Sequence, residues 1–154
     1  GHSSAASDVY KRQAIDKSLK ALKVAKLNAE MHQVQKKIKF LNIDVDKYFA
    51  NKYDLIVSNP PYIKDSEILS LDKDVKLNEP KLALSGGKSG LNKVFKVIKK
   101  SQKLLKTNGK LILEIGFKQS KEVKKYLIKN NFNQIHVFKD LSRKDRCIVS
   151  TKAN

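Results

Sequence analysis

Short apolar runs alternate with helix-length amphipathic stretches along this chain, and few sequence features restrict a fold as strongly. Ala14, Ile15 and Asp16 read as the end of a strand. Ser18 offers a side-chain oxygen to cap a helix over roughly residues 19–33, with Leu22, Ala25 and Ala29 along one face. Lys37 to Ile43 alternates as a strand does, "DVDKYFANK" makes a polar connection, and Tyr53 to Ser58 is an aliphatic, β-branched run that predicts a buried strand. A long irregular segment, Asn59 to Lys88, follows. Ser89 then opens a second helix with Leu91, Val94, Phe95, Ile98 and Leu105 at helical spacing. "TNGK" closes that helix, with Gly109 as its natural C-cap. "KLILEIG" predicts another buried strand, residues 119–130 a lysine-rich helix carrying Val123, Tyr126 and Leu127, and "QIHVF" and "RCIVST" two closing strands.

Strands that alternate with helices imply an α/β fold, a mostly parallel sheet covered on both faces. The last two strands, joined only by "KDLSRKD", predict an antiparallel pair at one edge. In open sheets of this kind ligands bind beyond the carboxyl ends of the strands. Asp16, Asp44, Asn59 and Glu114 all fall at or just after such ends. Each acid alone has an ordinary structural use, and Glu114 is left out of the expected site as a partner for nearby backbone.

Asn59 leads into Pro60, Pro61 and Tyr62, and the chain's three prolines all lie between residues 60 and 80. Neither Pro60 nor Pro61 has an N–H for a sheet ladder, so the strand must stop there. Asn59 offers an amide oxygen as acceptor and the Pro60 carbonyl offers a second. The prolines hold the turn with little entropy left to lose, and Tyr62 presents a flat ring. Two acceptors and a ring form a receptor for an NH₂ group on a planar system. Such a nitrogen is a poor nucleophile because its lone pair is delocalised. Binding both N–H groups directs the lone pair at an electrophile and stabilises the charge that develops. The pattern suits alkylation of a planar nitrogen, above all methyl transfer, with no metal required.

Composition narrows the setting. The 154 residues fit one domain with a real core, and no apolar run approaches the roughly 18 residues of a membrane helix. The single cysteine, Cys147, cannot form an internal disulfide, and a reducing cytoplasm is its natural setting. A formal charge of +18 invites a weak attraction to nucleic acid or to the ribosome. Arginine, the residue suited to bidentate phosphate contacts, supplies only three of the 33 basic residues, which leaves 30 lysines spread over every helix. That distribution reads as solvated helix faces. Residues 1–13, "GHSSAASDVYKRQ", are set aside as a non-native leader.

"SNPPYI" followed by "NEPKLALSGGKSGL" resembles the HemK/PrmC family of release-factor glutamine methyltransferases. The downstream Glu79-Pro80, Ala83-Leu84, Gly86-Gly87 and Gly90 favour that family over adenine-N6 DNA methyltransferases and RNA methyltransferases with related tetrapeptides. "AIDKSLKALKVAKLNAEMH" is similar to its second strand and following helix, and "LILEIG" to its fifth strand. The resemblance covers about residues 14–151 and implies a Rossmann-like class I methyltransferase sheet with S-adenosylmethionine as methyl donor. The implied acceptor is the glutamine amide of the Gly-Gly-Gln motif in peptide-chain release factors. By position, Asn59 and the Pro60 carbonyl would grip that amide, while Pro61 and Tyr62 would shape its pocket. Asp16 would take the cofactor's ribose hydroxyls, Asp44 would sit near its adenine amino group, and Asn59 would contact the cofactor as well.

Nothing before Asp16 supplies the family's glycine-rich cofactor loop, and its N-terminal helical domain is absent too. Residues 14–154 therefore read as a partial methyltransferase domain that is truncated at its N-terminus, expected to self-associate and to be weakly active or inactive. Two other readings stand beside this one. An amino-methyltransferase of DNA or RNA draws on the positive charge, and a non-enzymatic remnant would bind a partner through its basic surface.

Overall fold

The apolar periodicities produce nine regular elements among the described residues, which are 12–50, 52–63 and 90–154 of the computed structural model. They are β1 (Arg12–Asp16), α1 (Leu19–Met31), β2 (Ile38–Asn42), β3 (Tyr53–Ser58), α2 (Asn92–Leu104), β4 (Leu105–Glu114), α3 (Ser120–Lys129), β5 (Phe132–Lys139) and β6 (Asp145–Lys152). The chain divides into two compact units, residues 1–48 and 49–154.

In the first unit β1 and β2 run parallel, with Ala14 opposite Phe40 and Asp16 opposite Asn42. Arg12 and Gln13, the last two residues of the stretch set aside as leader, belong to β1 and pair with Ile38 and Lys39. Residues 1–11 lie outside the described residues. Ser18 caps α1 as its sequence predicts, its hydroxyl accepting from the Ala21 N–H at 3.2 Å. Leu22 and Ala29 are buried on the predicted face and Ala25 is half-buried, whereas Leu19, Leu27 and Met31 stay exposed. Tyr48 is buried, and its hydroxyl donates to the Gln13 side chain.

The second unit is a four-stranded mixed sheet in the order β3-β4-β6-β5. β3 and β4 are parallel, and β6 lies between β4 and β5, antiparallel to both. Strand alternation sends Ile56, Leu111, Leu113, Ile148 and Val137 to one face. There they meet Val94, Val97 and Ile98 of α2 and Val123 and Leu127 of α3 in one core. Phe95 of α2 stacks on Tyr126 of α3 with ring centroids 3.9 Å apart. Burying each such aliphatic side chain contributes about 1.5–3 kcal/mol. Leu55 and Val57 alternate to the other face of β3 and are 51% and 66% exposed, so the strand expected to be buried is covered on one face only.

The largest boundary difference from the sequence expectation lies at the end of α2. The second helix ends at Leu104, and Leu105 already pairs with Tyr53 as the start of β4. "TNGK" is therefore a bulge inside β4, and Gly109 caps no helix. The register jumps from Tyr53–Leu105 to Leu55–Lys110, and Asn108 absorbs the reversal at φ 65°. Glycine is required at 109 by close packing: an added Cβ would lie 2.9 Å from the Lys106 carbonyl oxygen and 3.1 Å from that of Tyr53. Ser89, the expected helix start, lies outside the described residues, and Leu91 precedes the first turn of α2.

Candidate functional site

At the carboxyl end of the two-stranded sheet, Asp16 is the last residue of β1 and Asp44 lies just past β2. Asp16 turns the chain into α1, its Oδ1 accepting from the Ser18 N–H at 2.7 Å. Its carboxylate is exposed, a pair of acceptor oxygens suited to the paired hydroxyls of a ribose. Asp44 caps a short 3₁₀ turn, Val45–Lys47, by accepting from the Asp46 N–H at 3.0 Å. Asn42, which no motif pointed to, ties the two strand ends together. Its Nδ2 donates to the carbonyls of Asp16 at 3.0 Å and Lys17 at 2.9 Å.

The second unit has its own cluster at the carboxyl ends of its parallel pair. β3 stops at Ser58, and Asn59 follows exposed, Pro60 buried, and Pro61 and Tyr62 half-buried. The amide of Asn59 thus faces solvent while the proline behind it is anchored. Tyr62 is fixed at both ends. Its hydroxyl donates to Glu114 Oε1 at 3.0 Å and accepts from Arg146 Nη1 at 3.2 Å. Its carbonyl accepts from Gln119 Nε2 at 2.9 Å. Burial, reinforced by the Glu114 bond, pushes the Tyr62 hydroxyl above its ordinary value, so it stays protonated and donates.

Arg146 is itself held in place. Its Nε and Nη2 both donate to Asp140 Oδ2, at 3.2 and 3.1 Å. Asp140 also organises the β5–β6 turn, its Oδ1 accepting from the N–H groups of Ser142 at 2.9 Å and Lys144 at 3.0 Å. The Lys144 N–H bond leads the causes that hold the Asp140 carboxyl below the usual carboxylate range. Tyr62 is therefore a braced wall beside an exposed amide, and the brace consists of Glu114, Gln119 and Arg146. Glu114 is recognisable in the sequence as an acid at a strand end, outside the expected site, whereas nothing in the sequence marks Gln119 or Arg146. Of the second motif, Glu79, Pro80, Ala83, Leu84, Gly86 and Gly87 lie outside the described residues. Gly90 is described, at φ 73°. Among the described residues no group of three or more His, Cys, Asp or Glu is placed to hold a metal ion.

The model of the methyltransferase small domain matches residues 2–78, half of the chain. The chain belongs to that family. A release factor glutamine methyltransferase from Thermodesulfovibrio yellowstonii is 39% identical over 140 residues, covering 90% of this chain and 50% of the relative. The corresponding Clostridium acetobutylicum protein is 36% identical over 140 residues, covering 89% and 49%. A bifunctional methyltransferase from Rickettsia typhi is 38% identical over 142 residues, with 92% of this chain but 27% of the relative covered. The chain thus spans about half the length, or less, of these curated relatives. Among solved structures, a methyltransferase from Pyrococcus furiosus superposes with a TM-score of 0.68 at 18% identity, over 94% of this chain and 64% of that one. A SAM-dependent O-methyltransferase from Thermotoga maritima gives 0.62 at 14% identity, over 94% and 50%. These likenesses confirm the α/β class I methyltransferase fold expected from the sequence. No helix of the described residues is long and apolar enough to cross a membrane.

Proposed function

We propose that this chain carries the acceptor turn of an S-adenosylmethionine-dependent methyltransferase whose target is the side-chain amide nitrogen of a glutamine in peptide-chain release factors. The observation that carries the reading is the exposed Asn59 beside a buried Pro60 and a Tyr62 tied at both ends. The names of the curated relatives supply the substrate class. A cytoplasmic setting, where release factors work, belongs to the same proposal.

Asn59 Oδ1 and the Pro60 carbonyl would accept the two N–H groups of the glutamine amide, and Tyr62 would bound its plane. That grip localises the nitrogen lone pair and stabilises the positive charge as a bond to carbon forms. The nitrogen gains a methyl group and gives up one proton. Asp16, with an exposed carboxylate at the end of β1, fits a role in holding the cofactor's ribose, and Asp44 beyond β2 is its companion candidate. When bound, S-adenosylmethionine supplies the electrophilic methyl. Self-association is part of the proposal as well: β3 is an outer strand of its sheet, and its Leu55 and Val57 are exposed.

The test is transfer of labelled methyl from S-adenosylmethionine to a release factor, to DNA and to RNA, by the wild type and by Asn59→Ala. Weak labelling of the Gly-Gly-Gln glutamine is expected, in keeping with the low activity expected of this chain, with a further loss of about 10²–10³-fold in Asn59→Ala, the range for removing one hydrogen-bonding group aimed at developing charge. Label in adenine instead would replace this reading with the nucleic-acid one, and label in none of the three would favour the non-enzymatic remnant that binds through its basic surface. Calorimetric titration with S-adenosylmethionine, repeated on Asp16→Ala, tests the cofactor role separately.

A further inference from the structure

Gln119 stands outside every motif that the sequence singled out, yet it joins three separate segments of the second unit. It occupies the N-cap position of α3 and makes no side-chain bond to that helix. Its Oε1 accepts from the Gly116 N–H at 2.9 Å, in the turn after β4. Its Nε2 donates to the Tyr62 carbonyl at 2.9 Å and to the Gly90 carbonyl at 3.1 Å. A primary amide has two N–H donors, and here each has its own backbone acceptor. The packing leaves no slack. A Cβ at Gly116 would lie 3.0 Å from Gln119 Oε1 and 3.3 Å from the Tyr62 ring.

We infer that Gln119 is the positioning residue of the acceptor turn, binding the end of that turn to the approach to α2 so that the two hold one geometry. The inference rests on the proposed role of Asn59 and Pro60. The Pro61 ring locks one of the few torsions between the Pro60 carbonyl and the Tyr62 carbonyl. Fixing the second carbonyl therefore restricts the direction of the first. Tyr62 is tied at its hydroxyl by Glu114 and Arg146 and at its carbonyl by Gln119. It cannot swing without breaking one of these ties. A turn held this way meets its ligand with the ordering cost already met.

Gln119→Glu tests this directly. The variant keeps an acceptor for the Gly116 N–H but turns a carboxylate oxygen toward the carbonyls of Tyr62 and Gly90. Backbone order, from ¹⁵N relaxation of the full chain, is expected to fall at Tyr62, Ile63 and Gly90 together at pH 7.5, with β4 and β6 unchanged. Below about pH 4 the new side chain takes up a proton and can donate one O–H, to the carbonyl of Tyr62 or to that of Gly90, so order returns in part. In Gln119→Met it does not return. Tyr62, Glu114, Arg146 and Asp140 are common to all three proteins, so the difference in pH profile isolates position 119. Unchanged order in Gln119→Glu at pH 7.5, or loosening with the same pH profile as in Gln119→Met, overturns the inference. Gly116→Ala, which crowds Gln119 from the other side, is expected to loosen the same three residues, and tight order there counts against it. Binding of a Gly-Gly-Gln peptide amide by the wild type is a separate arm. Failure there removes the proposed role of Asn59 and leaves the order measurement to decide on Gln119. If the wild type binds, Gln119→Glu is expected to bind about tenfold more weakly at pH 7.5, and equal binding overturns the positioning role.

Discussion

Replacing Tyr62 by phenylalanine removes one oxygen and keeps the ring. The lost hydroxyl donates to Glu114 at 3.0 Å and accepts from Arg146 at 3.2 Å. Arg146 keeps its two bonds to Asp140 and a long one to the Ile115 carbonyl, so the guanidinium remains satisfied. Glu114 is the group that loses. A hydrogen bond to a charged partner contributes about 1.5–3 kcal/mol, and half-exposure of Tyr62 lets water replace part of it. The expected cost is about 1 kcal/mol, or roughly 2–4 °C in Tm for a chain of this size. Thermal unfolding at pH 7.5, followed by circular dichroism, measures it. The pH profile gives a second check. Burial, followed by the Glu114 bond, raises the Tyr62 hydroxyl above its ordinary value, so the folded chain holds that proton more tightly than the unfolded chain. That contribution is complete below about pH 10 and is lost as pH rises through the folded value. The gap between wild type and variant should therefore narrow above pH 10. An unchanged Tm, or a gap that widens with pH, would refute the hydrogen-bonded role given to this hydroxyl.

Three further outcomes follow from the packing. Leu113→Ala, at a position with no solvent exposure, is expected to cost about 3 kcal/mol in urea denaturation, whereas Leu27→Ala, at a position 63% exposed, should cost less than about 0.5 kcal/mol. Gly109→Ala should destabilise the chain by about 1–3 kcal/mol, because its Cβ would meet backbone oxygens that cannot move aside; a neutral result would show that the β4 bulge is not as tight as described. Asp140, held below the usual carboxylate range chiefly by the Lys144 N–H, contributes stability that is present above about pH 4 and lost as pH falls through its folded value. Asp140→Asn should flatten the acid limb of the pH–stability profile, and an identical limb in both proteins would contradict the turn's dependence on that carboxylate.

Local pattern alone determined most of the fold. β3 is legible because Leu55, Ile56 and Val57 are followed by two prolines, and α1 because Ser18 precedes a run with Leu22 and Ala29 on one face. The Asn59–Tyr62 turn and the acids at the ends of β1 and β2 are contiguous signals of the same kind. Local pattern misled at "TNGK", where a turn-like sequence proved to be a bulge, because the pairing of Leu105 with Tyr53 extends β4 back to the helix end. Only tertiary structure could decide what holds Tyr62. Arg146 reaches it across 84 residues and Gln119 across 57, and neither side chain has a pattern that announces a partner. Glu114 lies opposite Cys147, and that antiparallel register brings Arg146 to the end of β4. A one-residue slip would turn it to the other face. Periodicity and turn chemistry specify elements from neighbouring residues, whereas a braced site depends on registers between distant strands, which only the folded chain sets.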